Sequence, residues 1–387
     1  MSSSAATRPA APGRHAALDR LRGVALVLML IHHLTDWLTG DARAVLPGWR
    51  SFVLTDVAAV AFFVAAGASL GLFVASRRRR GTSRARVAGQ VLRRYGLLVP
   101  IGLALDWAFW RSPSMFGVLE ALGVAVVLAA AVAAVVPARH LPLAAVAALA
   151  AGVWSERVSV GHDAWLAREV IGGKFPLVTY LGFVLVGVAV ARTGRLAGPR
   201  WTAGAAAIGV GASLVLLVGG AVPARYPGDV PFIVPGLAGT AIVYGLAQAR
   251  WPGRLDLLDR IVRQAAAHTL GVFVAHYVVY GVLRQQGRLG EATGAVAVPL
   301  AVAVTVALCL LAPRVPQPPW SLRTGRRRPP APAGGAAETG GTDTEVGGTD
   351  TGGAALGGTE VGGAEAGGAA PSGLRHATAG HGAGRSS

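Results

Sequence analysis

Cysteine is all but missing from this chain. Cys309 stands alone inside an apolar run, which excludes an internal disulfide framework and a thiolate metal site. Lysine is equally scarce, with Lys174 the single one among 36 basic residues. Charged residues make up 14% of the 387 positions, against roughly a quarter in soluble domains. With 53% of residues hydrophobic, that balance excludes an ordinary soluble fold and predicts an all-α integral membrane protein. Acids number only 19 and the net charge is +17. The arginines fall in short clusters between apolar runs, a pattern that reads as membrane topology, so no nucleic-acid partner is expected.

Several catalytic signatures are absent too. There is no HExxH and no Cys cluster, and the adjacent His32 and His33 would point about 100° apart on one helix, so no metal is expected. No G-x-S-x-G stands in a strand-turn-helix context, which argues against a Ser-His-Asp hydrolase. No Walker-type glycine loop is present.

What the chain does contain is a series of apolar runs long enough to span a bilayer, at about 20–38, 53–75, 95–110, 117–136, 141–154, 177–192, 202–222, 231–249, 265–284 and 295–313. These predict a bundle of about ten transmembrane helices. The fifth is the shortest, with Pro142 near its start and Glu156 close behind. Arginine clusters alternate with the runs: Arg77 to Arg80, Arg139, Arg192 to Arg200, Arg250 to Arg263, and Arg326 to Arg328 all fall on one side. By the positive-inside rule both termini then lie in the cytoplasm, in a multi-pass protein of the plasma membrane. Residues 1–17 read as a disordered cytoplasmic lead, 18–313 as the membrane domain, and 314–387 as a tail of Gly, Thr and acidic repeats. That tail has too little apolar surface to offset its chain entropy and is expected to be disordered.

The run over Leu18–Trp37 is not a plain anchor. Asp19, Arg20 and Arg22 stand at its entrance and His32, His33 and Asp36 near its exit. At about 100° per residue, the eleven steps from Arg22 to His33 return to nearly the same azimuth, and Asp19 and Asp36 lie close to that line. The rise between them is roughly 16 Å, about half a bilayer. An arginine at the surface and a histidine at depth therefore face one interior space. Ionisable groups in a span are costly and mark cavities or proton paths. Arg20, by contrast, reads as an ordinary flanking anchor.

Other polar groups are fewer. Asp56 opens the second run, and Asp106 and Glu120 lie near the outer ends of the third and fourth. Gly67 and Gly71 give a GxxxG spacing that would admit a close neighbouring helix. The segment from Ser155 to Pro176 is a candidate acceptor-facing lid. His276, with Tyr277 and Tyr280, is the deepest polar group of the ninth run, and His268 lies about 80° round from it, so the two are not one ligand pair. A deep histidine, an arginine on its stripe and nearby acids suit general-base catalysis, with a cation holding an anionic donor.

Leu21-Arg-Gly-Val-Ala-Leu-Val-Leu-Met-Leu-Ile-His-His33 resembles the first-helix signature of the heparan-α-glucosaminide N-acetyltransferase-like membrane proteins, within the broader acyltransferase-3 group. There an Arg and a His separated by ten residues are the hallmark, met here by Arg22 and His33. Asp56 and Phe62-Phe-Val-Ala-Ala-Gly67 are similar to that group's second helix, with looser matches at Gly117–Gly123, Phe175–Gly187 and Thr269–His276. The resemblance implies a ten- or eleven-helix enzyme moving an acyl group, commonly acetyl from acetyl-CoA, to a glycan or small-molecule acceptor across the membrane. It gives His33 the proton-removing role, Arg22 donor anchoring and His276 a place in the cavity. His32 and Asp36 complete the candidate catalytic set, Asp19 joins Arg22 at the donor, and Asp56 and Glu120 join His276 as cavity groups. The group usually offers one histidine where this chain has two, so spacing alone favours His33. The expected partners are membrane lipid, acyl-CoA and acceptor.

A proton-coupled transporter using His33 and His276 as a relay is the alternative. Transporters tend to carry two related halves, and the first-helix pattern does not recur in the second half of this sequence.

Overall fold

A computed structural model describes residues 15–41, 45, 56–110, 117–159, 175–195, 198–221, 229–249 and 251–314. The N-terminal lead up to residue 14, the lid candidate over 160–174 and the repeat tail lie outside the described residues.

Twelve α-helices occur among them: α1 (Ala16–Thr39), α2 (Ala58–Arg79), α3 (Arg84–Val91), α4 (Leu98–Trp110), α5 (Val118–Val135), α6 (Leu141–Ser159), α7 (Leu177–Arg192), α8 (Pro199–Val218), α9 (Val230–Gln248), α10 (Asp256–Ala267), α11 (Thr269–Gln285) and α12 (Gly294–Leu311). A π-helical turn at Leu92–Gly96 joins α3 to α4. No strand occurs among the described residues. All ten expected runs fall on helices. Six helices are long and apolar enough to cross a membrane: α1, α2, α5, α8, α9 and the stretch Gly294–Arg314.

Three features differ from the sequence expectation. α1 begins at Ala16, inside the expected lead, so the first turn carries Asp19, where an acid suits the positive end of the helix dipole. The fifth run extends to Ser159 because Pro142 sits in its first turn, where no N–H is needed, and so does not interrupt it. The ninth run, 265–284, starts inside the end of a separate helix, α10, and continues through α11. α10 and α11 meet at His268 with a bend of 94°. α10 shows Asp256, Arg260 and Arg263 outward and buries Ile261, Val262, Ala265 and Ala266, together with Asp259, whose charge is met by arginine. Such a helix suits the membrane surface, with the apolar layer entered after the turn into α11.

α1 is the central element, packed against α2, α9, α10, α11 and α12. Polar and charged groups are expensive inside a bilayer, so side chains there pack through small residues. Gly67 on α2 and Gly187 on α7 face each other's helices: a Cβ at Gly67 would stand 1.9 Å from Val184 O, and one at Gly187 2.0 Å from Val64 O. Gly23 does the same for α1 and α10, where a Cβ would meet Val262 O at 2.0 Å. These contacts bring backbones together at distances that only a missing side chain permits.

The arginine-rich end of α1 is fastened by Arg20. Its Nε donates to Asp259 Oδ1 at 2.8 Å and its Nη1 to Ala247 O and Ala249 O, while the guanidinium lies over Trp251. Arg20 is thus an interhelical fastener joining α1 to α9 and α10, a role its flanking position did not suggest. At the other end, Gly290 N donates to Trp37 O and Ala292 N to Leu38 O. The last carbonyls of a helix have no partner within it. Here the α11–α12 connection supplies one for each of these two, and it clamps the end of α1 against α11.

Candidate active site

The fastening of α1 at both ends sets one of its faces against the α10–α11 elbow, and the polar stripe lies on that face. Near the arginine-rich end, Arg22 Nη2 donates to Asp19 Oδ1 at 2.9 Å and to Ala266 O at 2.8 Å, in the last turn of α10. Farther along α1, His33 Nδ1 lies 3.3 Å from His276 Nε2 on α11. Arg22 and His33 therefore reach the two arms of the same elbow, as their shared azimuth predicts. Gly23 makes the first of these contacts possible by letting α10 close on α1.

His276 is fully buried. Its ring stacks on Trp37, with centroids 5.2 Å apart and planes 12° from parallel, and on His33 at 5.5 Å. Its Nδ1 hydrogen-bonds the carbonyl oxygen of Phe273, one turn back on the same helix. A carbonyl only accepts, so Nδ1 carries the proton and, in the neutral ring, Nε2 presents its lone pair. That tautomer of His276 fits His33 Nδ1 as the donor across the 3.3 Å contact, an order in which His33 Nε2 is the basic nitrogen of the neutral pair. His32 lies beside His33, with ring centroids 5.9 Å apart, but it is His33 whose nitrogen meets α11. Asp36 is half-buried one turn further on, where its backbone oxygen accepts from the capping Gly40 N–H.

An aromatic wall surrounds the pair. Trp37 lies 4.7 Å from Tyr280 and 6.1 Å from Tyr277, and Phe109 of α4 lies 5.6 Å from Tyr277. Arg284 donates to the Phe109 carbonyl, tying α4 to α11. Behind Phe109 are two buried acids, Asp106 and Glu120, the latter 1% exposed. Glu120 packs against Gly102 of α4, where a Cβ would lie 2.5 Å from its Oε1. A Cβ at Gly117 would stand 2.9 Å from Glu120 Oε2 and 3.6 Å from Asp106 Oδ2, so both carboxylates face one small volume. Asp56 is buried at the entrance of α2.

Trp37, Phe109 and Asp106 join the expected residues as neighbours of the site. Trp37 closes the apolar run, and nothing in the sequence marks it as a site residue. Only the register of α1 against α11 turns it onto His276. Ser69, at the centre of Gly67-Ala-Ser-Leu-Gly71, lies within α2 and donates to Ala65 O, so it is no nucleophile elbow. Among the described residues no cluster of three His, Cys, Asp or Glu groups is arranged to hold a metal ion.

Helices of this length and apolarity, packed around a pair of imidazoles of which one is fully buried, define a multi-pass membrane protein of the helical-bundle class. Residues 14–219 match the family described as heparan-alpha-glucosaminide N-acetyltransferase, catalytic. The match spans more than half of the chain, which belongs to that family. No curated protein matches the sequence. The matched segment holds Arg22 and His33 but ends before α9, so His276, expected in the cavity, lies outside the match and is placed beside His33 by the fold.

Proposed function

We propose that this chain is a membrane acyltransferase that moves an acetyl group from acetyl-CoA, or another acyl from its CoA thioester, to a hydroxyl or amine of a glycan or other cell-envelope acceptor. The observation that carries the reading is the ordered pair of imidazoles. In this mechanism His33 Nε2 removes the proton from the acceptor O–H or N–H as the oxygen or nitrogen attacks the thioester carbonyl. The C–S bond then breaks, and the departing thiolate takes the proton back from His33. While His33 is protonated, its Nδ1–H bond to His276 becomes charge-assisted and shortens. His276 is a positioning residue: its own bond to Phe273 O keeps its lone pair aimed at His33.

Arg22, held by Asp19 and the Ala266 carbonyl, supplies fixed positive charge on the same face of α1 and suits the phosphates of the donor. Trp37, Tyr277, Tyr280 and Phe109 offer flat apolar surface to a sugar ring, and Asp106 and Glu120 offer acceptors for its hydroxyls. Asp36, His32 and Asp56 are nearby polar groups for the acceptor path. The arginine-rich end faces the cytoplasm in this reading, so the donor enters there and the acceptor is met beyond His33, in the plasma membrane.

The test is acyl transfer by the purified full-length protein in liposomes, with labelled acetyl-CoA and extracted envelope glycans. His33→Ala should remove transfer while leaving the amount of membrane protein unchanged. Retained transfer in that variant would overturn the assignment. Movement of a solute across the liposome membrane with no acyl donor present would favour the proton-coupled transporter.

A further inference from the structure

Away from the imidazole pair, a cleft of about 540 Å³ lies between the α8–α9 hairpin and the face made by α1, α2 and α7. That volume is within the range of single-ligand sites, roughly 300–1,000 Å³. Its walls are apolar, with Val64 and Ala68 from α2, Val186 and Val190 from α7, and Ile208 and Ala212 from α8. Two wall hydroxyls are turned back onto their own helices: Thr202 donates to Gly198 O and Thr240 to Gly236 O. The lining thus accepts hydrocarbon and offers little to a polar solute. Left empty, it would forfeit dispersion contacts along every wall. α8 packs chiefly on α9 and shows most of its length outward, so the cleft opens toward the acyl chains of the bilayer.

The chemistry changes at the arginine-rich end. Arg195 lies over the Trp201 ring at 4.4 Å, and both residues line the cleft. An arginine stacked on a tryptophan at the end of a membrane helix is suited to the headgroup layer. One turn earlier, Arg192 Nη1 is enclosed with no hydrogen-bond partner among the described residues. An enclosed guanidinium nitrogen at the end of α7 and a second guanidinium at the cleft mouth make a place for an anion.

We propose that this cleft binds an anionic phospholipid of the adjacent leaflet, with one acyl chain between α8 and the α2–α7 face and the phosphate at the Arg192–Arg195 turn. The site shares no residue with the imidazole pair, so it stands or falls independently of the acyl-transfer reading.

The test is native mass spectrometry of the full-length protein released from vesicles of phosphatidylcholine containing phosphatidylglycerol. Wild type should retain phosphatidylglycerol in preference to phosphatidylcholine. Arg195→Ala should lower that retention roughly fivefold, the weight of one basic residue at an anionic surface, and Arg195→Lys should restore most of it. Ala212→Trp, which fills the cleft from α8 without touching an arginine, should lower retention by a similar factor. Ala205→Trp replaces it if that variant does not fold. His33→Ala should retain lipid as wild type does. Equal retention of the two lipids, or retention unmoved by cleft filling, would overturn the proposal. So would displacement of the lipid by acetyl-CoA with the same sensitivity to Arg195→Ala, which would give the cleft to the donor.

Discussion

The seam between α1 and the α10–α11 elbow and the flank made by α8 and α9 are both built from apolar helices, yet they are held together differently. Along the seam, backbones touch at Gly23, and polar bonds recur at Arg20, Arg22 and His33. Along the flank, α8 touches little besides α9 and leaves a cleft beside it. Hydrocarbon is as good a neighbour for leucine or valine as another helix is, so apolar area alone gives helices in a bilayer no reason to associate. Close approach and hydrogen bonds do. The rigid seam is where a proton can be moved between fixed atoms, and the loose flank is where lipid can enter.

The largest test of that contrast is the base itself. His33→Ala should lower acyl transfer by a factor of about 10²–10⁴, the range for losing a general base, whereas Trp201→Ala on the flank should leave transfer unchanged. His276→Ala should cost less, roughly tenfold or more, because a positioning hydrogen bond contributes on the order of 1 to 2 kcal/mol. It should also alter the pH profile of transfer, since His33 would lose the acceptor that fixes its tautomer. A loss equal to that of His33→Ala with an unchanged pH profile would mean that His276 serves packing alone.

Next in size is the seam's backbone contact. Gly23→Ala places a methyl carbon 2.0 Å from Val262 O, so α10 must retreat and the Arg22 bond to Ala266 O must stretch. A loss of about 1–3 kcal/mol in stability is expected, seen as a lower thermal midpoint of the detergent-solubilised protein, together with reduced transfer. Arg20→Ala should destabilise comparably, by about 1–3 kcal/mol, because it leaves Asp259 and two carbonyls short of a donor. Arg263 binds the other oxygen of Asp259 but is 62% exposed, against 18% for Arg20, so Arg263→Ala should cost less than about 1 kcal/mol. Equal losses for Arg20 and Arg263 would show that the fastener at the end of α1 contributes nothing of its own.

Much of the seam was legible in the sequence, and the reason is geometric. Arg22 and His33 lie on one helix, and a helix fixes azimuth from residue number, so their common face could be read off before any neighbour was known. Gly67 and Gly71 gave away the tight approach of α2 in the same local way. The partner of His33 could not be found like this. His276 is 243 positions away, and nothing in either helix specifies the register that sets one imidazole against the other. The elbow at His268 was hidden because Ala265, Ala266 and Ala267 at the end of α10 are as apolar as the start of α11, so the run beginning at 265 carried across the bend. Arg20 was misread for a related reason: an arginine at a helix end looks the same whether it meets headgroups or an aspartate 239 positions away. Trp37 carried no signal of its own, since only the register of α11 sets it against His276.

The smallest expected effect is also the cleanest comparison between the two regions. Gly204 lies on α8, and a Cβ built there meets nothing within 4 Å. Glycine inside a helix costs roughly 0.5–1 kcal/mol relative to alanine through backbone entropy, so Gly204→Ala should leave stability unchanged or raise it by up to that amount. The same substitution at Gly23 should lower it. Paired thermal unfolding of the two variants in one detergent therefore asks whether the seam is held by backbone contact. Midpoints that moved in opposite directions would support it. If both variants fell together, α8 would be packed more closely than its open surface indicates, and the distinction between rigid seam and yielding flank would fail.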